Sequence, residues 1–178
     1  MAHLLFNHIM EFAELQALKA QYKPDNIKIL FIADGLPVKD RYFYLKNSNM
    51  YKAVKEAFTR VFGDFNSDDE FLAFFKEMGA YFENLSRVPI KTLSPPEQRK
   101  ARQEGVQPLA ERLAEMQPRL IIISLKAIEK YAHEAIKLAD VNSVEHIAVT
   151  PFPVKSMTNV NNCINGIVSA LRAVDWEL

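Results

Sequence analysis

The sequence has a single cysteine, Cys163, and only five glycines. One thiol closes no internal disulfide and supplies no multi-cysteine metal or iron–sulfur site, so the expected setting is a reducing cytoplasm. Neither a Gly-rich phosphate loop nor a Gly-x-Ser-x-Gly elbow is present, which argues against a P-loop nucleotidase, a Rossmann dehydrogenase or an α/β-hydrolase. The formal net charge is +0, so any nucleic-acid or membrane partner has to be read from local charge placement. Long hydrophobic runs are missing too. LIIISL is far too short to cross a bilayer, and MAHLLFNHIMEF lacks the basic start and small-residue cleavage site of a signal peptide. A cytoplasmic chain without a membrane partner is expected. The four histidines make no metal set: His3 and His8 do not share a helical face, while His133 and His146 fall on a helix and a strand. No metal and no cofactor is expected.

What is present is an ordinary globular composition. The chain has 178 residues, 49% hydrophobic and 25% charged, enough for one domain with a well-developed core, and the expected domain spans residues 1–178. Leu5, Ile9, Phe12 and Leu15 share one face of a first helix at about residues 2–22, limited by Pro24. NIKILFIA reads as a buried strand. A helix from about Asn47 turns Val54, Phe58 and Val61 inward and ends at Gly63. Ser67 and Glu70 have capping-box spacing ahead of a stripe of Phe71, Phe74, Phe75 and Met78. AYFENLS is a further strand, and Ser94, Pro95, Pro96 and Glu97 start a helix expected to bend or break near Gly105 and to run to about Met116. PRLIIISL is the clearest buried strand. KAIEKYAHEAIKLA is helical, EHIAV is a short strand, and Val160, Ile164, Ile167, Leu171 and Val174 mark the final helix. Strands alternating with helices predict an α/β fold of three α/β/α layers around a central four-stranded parallel sheet.

In such sheets ligands bind at the carboxyl ends of the strands. That rule selects residues 33–47, 84–93, 124–126 and 150–159. In the first, second and fourth of these, Lys39, Arg41, Lys46, Arg87, Lys91 and Lys155 stand against Asp34 and Asp40, a balance that suits an anionic ligand and equally suits loops that simply solvate charge. Asp34 follows the first strand, where a carboxylate can activate a water; with Gly35 it is also a common turn pair. Tyr42, Phe43 and Tyr44 offer a stacking platform for a base if exposed, or a packed loop if buried. Asn84 can read the edge of a flat heterocycle or cap a turn. The stretch TPFPVKSMTN sets Phe152, Lys155 and Ser156 ahead of a helix N-terminus, a favourable place for phosphate. Cys163 reads as a packed side chain.

Four segments, ILFIADGLP with RYFY, YFENLSRVP, RLAEMQPRLIIISLKAIEKY, and HIAVTPFPVKS, together resemble the signature regions of the uracil-DNA glycosylase superfamily. The resemblance runs from Ile27 to Val174. It implies a uracil-DNA glycosylase-like domain that hydrolyses the N-glycosidic bond of a damaged base flipped from DNA. Asp34 would then handle the water, Phe43 or a neighbouring tyrosine would stack on the base, and Asn84 would read its edge. Arg87, Lys91, Phe152, Lys155 and Ser156 would hold single- or double-stranded DNA, chiefly through phosphates. The sequence departs from the family where Ala33 and Leu125 replace glycines, and where Pro151, Phe152 and Pro153 stand without the histidine that stabilises the departing base. The cysteines of the iron–sulfur branches are absent. These departures imply an alternative, a non-catalytic nucleic-acid or nucleotide binding module that keeps the fold without turnover. A third reading is a domain acting on a free nucleotide or nucleoside.

Overall fold

The computed structural model describes residues 2–37 and 41–177, with side chains in the first helix from Phe12 onward. Lys39 and Asp40 of the first loop, and the side chains of His3 and His8, lie outside the described residues. The elements run α1 (Ala2–Gln21), β1 (Ile29–Ala33), α2 (Asn49–Phe62), α3 (Asp68–Glu77), β2 (Ala80–Asn84), α4 (Pro95–Met116), β3 (Leu120–Ile123), α5 (Glu129–Ala139), β4 (His146–Val149) and α6 (Met157–Arg172). A short 3-10 turn, Phe43–Leu45, lies between β1 and α2. The four strands form one parallel sheet in the order β2-β1-β3-β4. The protein is therefore an α/β fold with three layers, as the alternation of apolar runs and helical stripes predicts.

Side chains alternate between the two faces of each strand, and this decides which helix meets which residue. Phe31 of β1 stacks on Phe75 of α3, and Thr150 meets the backbone of α6 at Gly166. On that face α2 also packs against α6. Asp34 and Glu83 point the other way, to α4, which packs beside α5. Residues 29–32 of β1 and all of β3 are fully buried because both faces are covered. No described helix is long and apolar enough to cross a membrane.

Two expectations about helix ends change. The α3 start keeps its capping serine, with the Glu70 amide donating to Ser67 Oγ at 3.1 Å, but the Glu70 carboxylate reaches back to the amide of Asn66 rather than that of Ser67. The helix expected to bend or break at Gly105 runs as one element throughout α4, with both Gly105 and Pro108 inside it. The glycine is there for packing. A Cβ at Gly105 would lie 2.2 Å from the carbonyl oxygen of Leu85, so only a residue without one lets α4 cross the end of β2 this closely.

Candidate functional site

The strand order reverses between β1 and β3, and a crevice at the carboxyl ends of strands is where such sheets receive ligands. Asp34 leaves β1 at this point. Its carboxylate faces α4, where Arg102 grips both oxygens: Nε lies 3.0 Å from Oδ1 and Nη2 2.6 Å from Oδ2. The pair is largely covered, with side-chain exposures of 20% for Asp34 and 13% for Arg102. Hydrogen bonding to Asp34 raises the guanidinium's proton affinity above its ordinary range. A bidentate Arg–carboxylate pair is among the stronger and more directional contacts a protein makes, and here it holds the candidate water-handling group against the helix layer.

Asn84 is similarly occupied. Its Nδ2 donates to the carbonyl of Gly35 at 2.8 Å, tying the end of β2 to the loop after β1. The same two loops meet again where the Leu36 amide donates to Val88. The Asp34 carbonyl accepts from the amide of Ser86 at 2.8 Å. The mouth is thus closed on its β2 side by contacts among the residues expected to act on a ligand.

The aromatic run corrects the idea of an exposed platform. Phe43 and Tyr44 are only 5% and 1% exposed. Phe43 packs between Phe82 and Phe75, with ring centroids 4.3 and 5.2 Å away. Tyr44 stacks on Tyr22 at 5.4 Å, and its hydroxyl accepts the Phe82 amide at 3.1 Å. Tyr42 is half-buried, with its ring edge on Tyr44. Burial pushes the phenols of Tyr42 and Tyr44 well above their usual range. The physical reason for this packing is strand order. β2 is an edge strand whose outward amides need partners, and the loop from β1 wraps around that edge to supply one.

The remaining candidates are accessible. Arg87, Lys91, Lys155 and Ser156 are exposed and Phe152 is half-buried. Lys91 sits 5.9 Å from the ring centre of Phe152, so the second and fourth loops meet through a cation–π contact. Lys155 adopts a left-handed φ of 73° just before α6, and Ser156 Oγ caps that helix by accepting the Asn159 amide at 3.1 Å. Among the described residues no carboxylate forms an ion pair with Arg87, Lys91 or Lys155. Lys46, by contrast, is drawn off to Asp69 on α3, which removes one cation from the expected mouth.

Sequence reasoning missed Arg102, Arg112 and Glu83. Arg112 donates from Nη2 to the Asn84 carbonyl at 2.7 Å, and its Nε lies 3.5 Å from Glu83 Oε2, an ion-pair contact without a hydrogen bond. The other Glu83 oxygen receives Lys19 Nζ at 2.9 Å and the Asn84 amide at 3.0 Å. Burial lowers the proton affinity of Lys19, against the pull of Glu83. The signal was available: Arg102 and Arg112 bracket Gly105 and Leu109 at helical spacing, so both cations stand along an inward stripe and require partners there. Cys163 is packed as expected, with its thiol pushed up to about 11 by burial. Among the described residues no cluster of His, Cys, Asp or Glu has the makings of a metal site. No protein-family model and no curated protein matches the chain.

Proposed function

We propose that this chain is a binding module for nucleic acid or a nucleotide, of the uracil-DNA glycosylase-like kind suggested by its four segments, that holds its anionic ligand at the carboxyl-end mouth without turnover. The observation that carries this reading is the bidentate grip of Arg102 on Asp34. A carboxylate with both oxygens held by a guanidinium is badly placed to take a proton from water, because its oxygens are already engaged and turned toward the helix layer. Occupation of the Asn84 amide by Gly35 supports the same conclusion. Arg87, Lys91 and Lys155 remain as cations for phosphates, which position a nucleic acid without reading its sequence.

One observation favours a hydrolytic reading: Asp34 stands at the reversal of strand order, where a substrate would enter. A single pair of measurements separates the two. Single- and double-stranded oligonucleotides carrying uracil, hypoxanthine or xanthine are titrated at several salt concentrations, then assayed for abasic sites by alkaline cleavage. A binding module gives salt-dependent affinity and no abasic product. Replacing Arg87, Lys91 and Lys155 together by alanine should reduce the salt slope by about 2–3, near 0.7–0.9 for each lost phosphate contact. Abasic product from the wild type and none from Asp34→Asn would replace this reading by a glycosylase. Absence of any salt-dependent binding would remove nucleic acid as the ligand.

A further inference from the structure

All residues of β4, from His146 to Val149, are partly exposed, whereas β3 beside it is buried. Among the described residues β4 pairs with β3 alone. Its amide bond at Thr150 reaches Ile123 and that at His146 reaches Arg119, so alternation turns the amides and carbonyls of Ile147 and Val149 outward. Among the described residues nothing bonds to those outward groups. Ile147 and Val149 also present β-branched side chains on one face of the sheet, a surface suited to cross-strand packing.

We infer that the β4 edge pairs with the β4 edge of a second copy of this chain, antiparallel about a two-fold axis at Ala148, joining the two sheets into one. The register follows from the sequence. Ile147 of one copy stands opposite Val149 of the other, and each such pair exchanges both of its hydrogen bonds, so every outward group of the two residues is satisfied. The arrangement is self-complementary, as a two-fold interface requires. Beyond Val149 the next outward position is Pro151, which has no N–H to offer. A longer foreign strand would therefore gain little over a second copy. The contact is small, at or below the low end of specific interfaces, roughly 1,200 Å² of total buried surface. The dimer is weak, and forms toward the upper end of a concentration series.

The test is analytical ultracentrifugation of the full chain from micromolar to near-millimolar concentration, paired with cysteine cross-linking. The wild type should shift from monomer to dimer, and Val149→Lys should weaken association by about tenfold or more while keeping the wild-type circular dichroism. Ala148→Cys places two thiols directly opposite at a non-hydrogen-bonded pair, where Cα atoms stand about 4.5 Å apart, inside the range that a disulfide spans. It should cross-link on mild oxidation, while Ile147→Cys and the wild type should not. A wild-type chain that stays monomeric throughout, together with an Ala148→Cys that does not cross-link, overturns the inference. Equal cross-linking at Ile147→Cys overturns the register. Binding of an extended peptide to this edge of a chain that stays monomeric would show that the edge takes a foreign strand instead.

Discussion

The two edges of the sheet meet water in opposite ways. At the β2 edge, the outward amide of Phe82 is met by the Tyr44 hydroxyl and that of Asn84 by the Glu83 carboxylate, while Arg112 donates to the Asn84 carbonyl. Lys19 of α1 closes over the group by pairing with Glu83 and lying 5.0 Å from the ring centre of Tyr81. At the β4 edge no described side chain plays such a part. One edge is sealed within the molecule by side chains from three other segments, and the other is kept short and ends at a proline. A sealed edge concentrates stability in a few buried polar contacts, whereas a short open one leaves little to lose within the monomer.

Substitutions can break this contrast, and the largest effect is expected from Glu83→Ala. It leaves Lys19 and Arg112 without their shared anion in a mostly buried site, a loss of about 3–5 kcal/mol by analogy with broken buried pairs. Urea denaturation measures it, and a loss well under 1 kcal/mol would mean that water already serves this edge. The next effect lies near β4 and depends on pH. Burial raises Cys163 from 9.0 to about 11, so the folded chain holds that proton more tightly than the unfolded one. Its contribution is complete below about pH 9 and is lost as pH rises through about 11, worth roughly 2–3 kcal/mol. Cys163→Ala should flatten that part of the stability–pH curve, and an unchanged slope would assign the alkaline loss to the buried tyrosines. Tyr44→Phe leaves the Phe82 amide unpartnered and should lower stability by about 1–3 kcal/mol. The smallest effect belongs to the open edge: Val149→Lys should change monomer stability by about 1 kcal/mol, since its side chain packs on the core only from the rim and is partly exposed.

How far the sequence discloses this structure depends on whether the cause is local. The β1 and β3 strands are plain in NIKILFIA and LIIISL because burial on both faces leaves continuous apolar runs. The capping serines of α3 and α6 are equally visible. Continuity of α4 is hidden, since Gly105 looks like a breaker until the backbone of Leu85 is found beside the helix. The aromatics of residues 42–44 were legible as a cluster, but their purpose depends on β2 lying at an edge, and strand order is written nowhere in local patterning. The partner of Asp34 was hidden for the same reason. Arg102 stands 68 positions away along the chain, and only the crossing of α4 over the sheet brings the two together.

The two arginines of α4 lie ten residues apart, about 15 Å along the helix axis. One holds the loop leaving β1 and the other holds the end of β2, so α4 acts as a splint across both. Neither loop can come away alone while the helix stays in place. Backbone amides at Leu36 and Ser86, which bond across the same junction, should exchange with solvent through one shared opening, and the mouth would loosen as a unit with α4 rather than loop by loop.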